Sequence, residues 1–168
     1  EINCYCGKNH FFDSQIFIGS DVIGKLPEIL GSWRAKKVFI CADINTYRVA
    51  GESVCEILKA TGIKFEKFVF DKKILEPCES NVGLALMNFN PKCDVVIGVG
   101  SGVINDICKI VANVSNKKYI IVATAPSMDG YASATSSIDC TAKPRKNSAS
   151  GNIAREYNQR ERWFLDKW

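Results

Sequence analysis

The sequence predicts an α/β fold: a Rossmann-like parallel sheet with helices on both faces. Apolar runs typical of buried strands alternate with segments whose apolar residues recur at helical spacing. Three glycines, Gly98, Gly100 and Gly102, stand where one apolar run meets an amphipathic helix. With 168 residues, of which 46% are hydrophobic and 24% charged, the chain is long and apolar enough for one globular core.

The predicted elements follow one another at the spacing of βαβ units, which favours parallel strands joined by right-handed crossovers. Asp21 is expected to cap the first helix, Gly31 to end it, and Gly62 to follow the second helix as its C-cap. In chain order, the predicted elements are strand 15–19, helix 21–30, strand 37–41, helix 46–60, strand 64–70, helix 80–89, strand 94–99, helix 103–114 and strand 119–123.

The glycine-rich junction after strand 94–99 predicts a ligand site. Glycine permits close approach of a ligand to the backbone, and the first turn of the following helix presents N–H groups that favour an anion. The usual occupant of such a junction is a dinucleotide pyrophosphate, and a glycine-rich turn without ligand is the alternative. Asp106 is placed toward the ligand, whereas Lys109 is expected to be a surface charge.

Polar residues follow two further strands, where ligands bind in open parallel sheets. Asp43 suits either a ribose hydroxyl or the N-cap of the helix from Thr46, and both interpretations stay open. The loop Thr124–Ser133 combines hydroxyls, small side chains and a carboxylate, so we expect a polar ligand there, with Asp129 holding substrate hydroxyls. The alternative is a Ser/Thr turn in which Asp129 is a local cap.

Charge is unevenly distributed along the chain. Residues 141–168 hold seven Lys/Arg and three Asp/Glu, which accounts for the whole net charge of +4. Basic residues gathered on a tail rather than on the fold give no reason to expect nucleic acid. We therefore expect a dinucleotide-binding domain over residues 1–139 and an aberrant basic tail over 140–168. This tail is either a linker with a short docking helix or a segment without a fold of its own.

Cysteine usage and hydropathy indicate a cytoplasmic protein with reduced thiols. Four of the eight cysteines lie in or beside predicted elements, where a thiol is usually a small core hydrophobe: Cys41, Cys55, Cys93 and Cys108. The opening Cys4-x-Cys6 with His10 offers three ligands, one short of a structural zinc site, so no metal ligand is assigned. We see no secretory signal and no apolar run long enough for a membrane helix, so no membrane partner is expected.

At the two loops the chain resembles the sn-glycerol-1-phosphate dehydrogenase family, relatives of glycerol dehydrogenase, 3-dehydroquinate synthase and iron-containing alcohol dehydrogenases. The Gly-Val-Gly-Ser-Gly run before Asn105-Asp106 is a form of the glycine-loop motif of that group. The second motif, Thr-Ala-Pro-Ser-Met-Asp-Gly-Tyr-Ala-Ser over residues 124–133, is more specific, because glycerol dehydrogenases carry a different pattern there. The resemblance covers about residues 1–139.

The resemblance implies NADH- or NADPH-dependent reduction of dihydroxyacetone phosphate to sn-glycerol 1-phosphate, a step of phospholipid biosynthesis, with a divalent zinc or nickel ion. It implies cofactor contacts by eleven residues of three loops and substrate binding by Asp129. The implied cofactor contacts are Asp43, Gly102, Val103, Ile104, Asn105, Asp106, Thr124, Ala125, Pro126, Ser127 and Ser133. Other expectations are a phosphorylated small-molecule substrate and, for the intact protein, a homo-oligomer.

One departure from the family is prominent. Family members continue into a helical C-terminal domain that supplies one aspartate and two histidines to the metal, and none of these is recognisable after Asp139. We therefore assign no catalytic residue, interpret the chain as a truncated or frameshifted product, and expect no metal-dependent turnover by it. Alternatives are a nucleotide-binding or interaction module without catalysis, or a glycerol dehydrogenase-like activity.

Overall fold

A six-stranded sheet forms the centre of the protein. The computed structural model describes residues 2–3, 9–10, 14–128, 130–133, 135–139, 155–156 and 161–166. The strands of the sheet are β1 (Gln15–Gly19), β2 (Lys37–Asp43), β3 (Lys64–Phe70), β4 (Val95–Gly100), β5 (Lys118–Ala123) and β6 (Glu161–Asp166). The helices are α1 (Leu26–Ser32), α2 (Glu52–Ala60), α3 (Glu79–Asn88) and α4 (Gly102–Val114).

Every pairing within this sheet is parallel, and the strands lie in the order β1, β6, β5, β4, β2, β3. At the centre, Ile97 of β4 lies opposite Ile40 of β2 on one side and Ile120 of β5 on the other. Parallel pairing places the carboxyl ends of β2, β4 and β5 at one edge of the sheet. The polar loops that follow these three strands therefore begin side by side.

Alternation along the strands divides the core into two layers. In β2, Val38 and Ile40 pack with α1 and α2, whereas Phe39 and Cys41 pack with α3 and α4. Both sets are buried, because a parallel sheet covered on both faces leaves no solvated side. The predicted α/β class, with a Rossmann-like parallel sheet and helices on both faces, is confirmed.

Two predicted helix boundaries are wrong in detail. Asp21 does not cap the first helix: it has a left-handed backbone (φ 60°) with no side-chain cap bond, and a 3₁₀ turn, Val22–Lys25, precedes α1. Gly31 lies inside α1 instead of ending it. Gly62 does follow α2 as predicted, with φ of 72°, the left-handed backbone that glycine adopts without a Cβ penalty.

Shorter elements complete the described part of the chain. The predicted helix 46–60 is interrupted, because a turn of α-helix (Ile44–Thr46) and a π-helical segment (Tyr47–Gly51) precede α2. Two short antiparallel pairs join Ile2–Asn3 to Asn9–His10 and Thr135–Ser136 to Arg155–Glu156. A 3₁₀ turn covers Gly130–Ala132.

The expectation of a docking helix in the tail is wrong for residues 161–166. Glu161–Asp166 is a strand that lies between β1 and β5, with Trp163 opposite both Ile16 and Ile121. A parallel neighbour on each side supplies the backbone partners that the sequence pattern did not predict. The division at Asp139 stays a prediction.

The described cysteines carry no disulfide: Cys41, Cys55, Cys78, Cys93 and Cys108 are free thiols, and all but Cys78 are buried. The prediction that four of them are core residues is confirmed. Among the helices that the structure describes, none has the length and apolar character needed to cross a lipid bilayer.

Candidate functional site at the carboxyl edge

Two of the predicted loops meet directly where β4 and β5 end. Gly100 and Ala123 lie opposite each other, and the N–H of Thr124 donates to the carbonyl of Gly100 at 3.1 Å. The Tyr131 hydroxyl donates to the same carbonyl at 3.2 Å and accepts from the N–H of Ala125 at 3.3 Å. The end of β4 and the loop after β5 therefore form one hydrogen-bonded unit.

Asp43, at the end of β2, is a helix N-cap. Its Oδ1 accepts from the N–H groups of Asn45 (2.8 Å) and Thr46 (3.0 Å), and the Thr46 hydroxyl completes a capping box. The Thr46 Oγ1 also donates to the carbonyl of Val99 in β4 at 2.8 Å. The N-cap interpretation is thus confirmed, and the carboxylate stands beside the end of β4; its role toward a ribose stays a prediction.

The three glycines serve close packing rather than a left-handed turn, since none of them has a positive φ. A Cβ on Gly98 would lie 3.0 Å from the Tyr119 hydroxyl, and one on Gly100 would lie 2.6 Å from the Cβ of Ile104. At Gly102, the first residue of α4, the neighbour is the Met128 side chain, 3.2 Å from the position of a Cβ. The loop after β5 therefore packs over the start of α4.

The first turn of α4 presents main-chain donors rather than side chains. Its N-cap, Ser101, makes no side-chain cap bond, and the N–H groups of residues 102–104 precede the first intrahelical donor, Asn105, which bonds Ser101. Ile104 is buried and Val103 is partly buried against the core. Any contact between this turn and an anion would therefore use backbone N–H groups.

Asn105 was expected at the cofactor, but its side chain is buried inside the protein. Its Nδ2 donates to the carbonyl of Gly130 at 3.4 Å, and its Oδ1 accepts from the Tyr119 hydroxyl at 3.2 Å. The amide thus connects α4 to β5 and to the loop after it. An indirect contribution through that loop is compatible with this placement.

The expectation that Lys109 is a surface charge is wrong. Lys109 has no exposed surface, and its Nζ donates to the carbonyl of Gly130 at 3.0 Å and to the carbonyl of Ser133. An ammonium group is buried only where it is hydrogen-bonded and paired, and these carbonyls meet the first condition. The lysine therefore joins α4 to the loop after β5.

Asp106 supplies a nearby opposite charge. Burial raises the pKa of the Asp106 carboxyl from 3.8 to about 6, although Lys109 and the N–H of Ser137 both favour the ionised form. Such a shift means that desolvation exceeds the stabilisation by its two partners. Asp106 therefore faces the segment around Ser137 and Lys109, and contact with a ligand stays a prediction.

The remaining predicted residues form the accessible part of the loop. Thr124 and Ala125 are half-buried beside Gly100, while Pro126 and Ser127 are exposed. Ser133 is half-buried, and its N–H donates to the carbonyl of Gly130 at 3.2 Å. Asp129 lies outside the described residues.

The described side chains do not form a metal centre: among them, no group of three or more His, Cys, Asp or Glu stands close enough to hold an ion. The side chains of Cys4, Cys6 and His10 lie outside the described part of the chain. The described residues by themselves therefore do not provide a site for the metal that the resemblance implies.

Three residues of this site were not predicted individually: Thr46, Met128 and Tyr131. Tyr131 and Met128 lie inside the loop that the sequence singled out, so their position was indicated but their contacts were not. Tyr131 is 5% exposed, which raises the pKa of its hydroxyl through burial. An aromatic residue within a polar loop is the signal that could have indicated a buried anchor.

Comparison with known proteins relates the chain to a family. The family model described as iron-containing alcohol dehydrogenase matches residues 17–153. The match continues past Asp139, where the resemblance was expected to end, and so includes part of the basic tail.

Curated relatives match a similar part of the chain. A protein of Halalkalibacterium halodurans named glycerol-1-phosphate dehydrogenase is 34% identical over 135 residues, covering 77% of this chain and 34% of that protein. A protein of the same name from Archaeoglobus fulgidus is 31% identical over 133 residues, covering 77% of this chain and 35% of the relative. The chain thus spans about a third of the length of these relatives.

Solved structures share the fold. An iron-containing alcohol dehydrogenase of Thermotoga maritima superposes with a TM-score of 0.77 at 18% identity, covering 94% of this chain and 47% of the other. A glycerol dehydrogenase of Schizosaccharomyces pombe gives 0.72 at 21% identity, covering 90% and 36% of the two chains. At these identities the likeness concerns the fold alone.

Proposed function

The chain belongs to the iron-containing alcohol dehydrogenase family, and on that premise we propose that it forms the dinucleotide-binding part of an NAD(P)-dependent sn-glycerol-1-phosphate dehydrogenase. The whole protein would reduce dihydroxyacetone phosphate to sn-glycerol 1-phosphate with NADH or NADPH. Its curated relatives carry that enzyme name at 34% and 31% identity. The motif over Thr124–Ser133, by which the sequence resembles that family, also supports the proposal.

The observation that carries the proposal is the joining of the two loops at Gly100. Its carbonyl accepts from Thr124 and from Tyr131, so the loop after β5 lies against the start of α4. Backbone N–H groups at a helix N-terminus stabilise phosphate oxygens, and a glycine at the first helical position leaves room for them. A pyrophosphate at this place would be reached from both loops.

Within the proposal, each predicted residue has a task. The turn Gly102–Asp106 lies against the cofactor phosphates and binds them through the N–H groups of residues 102–104. Residues 124–127 and Ser133 line the nucleotide, and Asp129 binds substrate. Asp43 accepts a hydroxyl of the adenosine ribose, although its Oδ1 already serves the cap of the following helical turn. A carboxylate there would repel a 2′-phosphate, which favours NADH over NADPH.

A metal is not part of what the described residues provide. With no fitting cluster among them, we derive no step through a metal and propose that the 168-residue chain binds dinucleotide without turning over substrate. Binding and catalysis are therefore tested separately.

The binding test is a titration of the purified chain with NADH and, in parallel, NADPH, followed by nicotinamide fluorescence. We expect saturable binding of NADH. Gly102→Leu should weaken it at least tenfold, because the added side chain meets Met128, 3.2 Å from the Cβ position, and displaces the loop that packs over the start of α4. Gly83→Leu is the matched control, since Gly83 lies in α3 and no atom lies within 4 Å of its Cβ position.

The outcomes separate the two parts of the proposal. Equal affinities of the Gly102 and Gly83 variants would contradict the placement of the nucleotide, and absence of any binding to the unaltered chain would contradict the function. NADH oxidation that depends on dihydroxyacetone phosphate, and not on unphosphorylated dihydroxyacetone, would show that the chain has catalytic groups beyond those described.

A further inference from the structure

Lys109 is a buried charged side chain that bonds two carbonyls of the loop after β5. Its exposed fraction is 0%, and its Nζ donates to the carbonyls of Gly130 and Ser133. Gly130 is the first residue of the 3₁₀ turn Gly130–Ala132, and Ser133 follows its last residue. One ammonium group therefore bonds both ends of the turn.

Packing alone does not explain this lysine. An apolar side chain of similar length would fill the same space without removing a charge from water, and desolvating a charge is costly unless its partners compensate. Asp106, one helical turn earlier, carries an opposite charge that favours the charged lysine electrostatically. A buried, hydrogen-bonded charge such as Lys109 can instead specify one conformation of the segment that it bonds, here residues 130–133.

The turn also makes contacts through neutral groups, among them the Tyr131 hydroxyl, which bonds the carbonyl of Gly100 and the N–H of Ala125. Asn105 reaches the Gly130 carbonyl only at 3.4 Å, and the N–H of Gly130 donates to the Met128 sulfur, a weak acceptor. Hydrogen bonds that involve an ionised group are about twice as strong as neutral ones. The lysine thus contributes the strongest described contacts between α4 and residues 130–133.

We propose that Lys109 is a positioning residue: its ammonium group fixes the turn at residues 130–133 over α4 through the two carbonyls it bonds, and so holds the loop after β5 in its ligand-binding conformation. The statement about ligand binding rests on the proposed function, whereas the statement about the turn does not.

The test compares Lys109→Met, which keeps the alkyl chain and removes the charge, with Lys109→Arg, which keeps a charged donor. Lys92→Met is the matched control, because Lys92 is exposed and remote from the loop. Hydrogen–deuterium exchange is measured over residues 124–133, with β3 as internal reference, and NADH affinity is measured on the same samples.

With Lys109→Met we expect exchange over residues 124–133 to become at least about tenfold faster, β3 to stay unchanged, and NADH affinity to fall about tenfold. Lys109→Arg should keep most of the protection from exchange and most of the NADH affinity. Lys92→Met should have the exchange rates and the NADH affinity of the unaltered chain. Unchanged exchange in Lys109→Met, or equal acceleration throughout the molecule, would overturn the proposal.

Two further outcomes are decisive. If Lys109→Met does not fold, Lys109→Arg carries the test: exchange over 124–133 close to that of the unaltered chain supports the proposal, and faster exchange there overturns it. If the unaltered chain binds no NADH, the proposed function fails, while the exchange results still decide whether Lys109 fixes the turn.

Discussion

The two aspartates that flank β4 have pKa values shifted in opposite directions. Asp94, just before the strand, accepts from the N–H groups of Lys36 (2.8 Å) and Lys37 (3.0 Å), and these bonds lower the pKa of its exposed carboxyl. Asp106, after the strand, is desolvated, and its pKa rises to about 6. The solvated Asp94 carboxylate joins the starts of β4 and β2, whereas ionisation of the Asp106 carboxyl is opposed by desolvation.

The charged groups at the amino end of β4 have a structural role in water, whereas those at its carboxyl end have the desolvated environment expected of a ligand site. At the amino end, the charges are solvated, as is the Lys37–Glu66 pair, whose side chains are 25% and 40% exposed. At the carboxyl end, Lys109 is buried and bonds two carbonyls of the loop after β5, and the half-buried Asp106 has a pKa raised by desolvation. Perturbed ionisable groups collect at functional sites more often than elsewhere, which agrees with the proposed nucleotide site.

The largest expected effect concerns the tight packing at the carboxyl end. Gly100→Ala places a Cβ 2.6 Å from that of Ile104, so backbone or helix must shift, and we expect a loss of about 1–3 kcal/mol in the free energy of unfolding. Gly83→Ala, which meets no atom within 4 Å, should instead gain about 0.5–1 kcal/mol. Urea unfolding measures both; a Gly100 variant as stable as the Gly83 variant would contradict the close packing.

The second prediction uses the two aspartates. Because folding raises the Asp106 pKa from 3.8 to about 6, its ionisation destabilises the folded protein as pH rises through that interval. The free energy of unfolding of the unaltered chain should therefore fall relative to that of Asp106→Asn between pH 3.8 and about 6. Above that interval the difference between the two proteins should be constant.

For Asp94 the sign is reversed. Folding lowers the pKa of this group, so its contribution to stability is present above pH 3.8 and is lost as pH falls through the folded-state pKa. The unaltered chain should therefore lose stability relative to Asp94→Asn only at the acid end. Urea unfolding of the three proteins across pH tests both signs, and parallel profiles for the two variants would contradict the comparison.

A smaller effect is expected at Tyr131. Tyr131→Phe removes the hydroxyl that bonds the carbonyl of Gly100 and the N–H of Ala125, at a cost of about 1 kcal/mol in the free energy of unfolding. Tyr47→Phe is the control, because the Tyr47 hydroxyl accepts from Lys67 at an exposed position and its loss should cost less. Equal losses would show that the Tyr131 contacts do not join the two loops.

Much of the fold could be predicted because burial on both faces leaves a clear pattern. The strand predicted at 64–70 has those bounds in the structure, and the one predicted at 119–123 begins only one residue earlier, at Lys118. The glycines and the amphipathic pattern of α4 also identified the edge where the loops meet. Local pattern and tertiary structure agree there.

The buried contacts of Lys109 and Asn105 could not be predicted from the pattern, because they are made with the loop after β5 and, for Asn105, with Tyr119, all distant in sequence. Both residues lie on one face of α4, four residues apart, among apolar neighbours that are themselves buried. Their position on the apolar face of α4 indicated burial, but the sequence analysis placed Lys109 at the surface because lysine is usually exposed. Glu161–Asp166 was missed for a similar reason: its pairing with β1 and β5 comes from strands distant in sequence.

Hydrogen–deuterium exchange of the 168-residue chain with and without saturating NADH tests the central claim most directly, because it reports both ends of β4 in one experiment. We predict slower exchange at the first turn of α4 and at residues 124–128 when NADH is present, and no change around Asp94. Protection at the amino end, or none at the carboxyl end, would contradict the account.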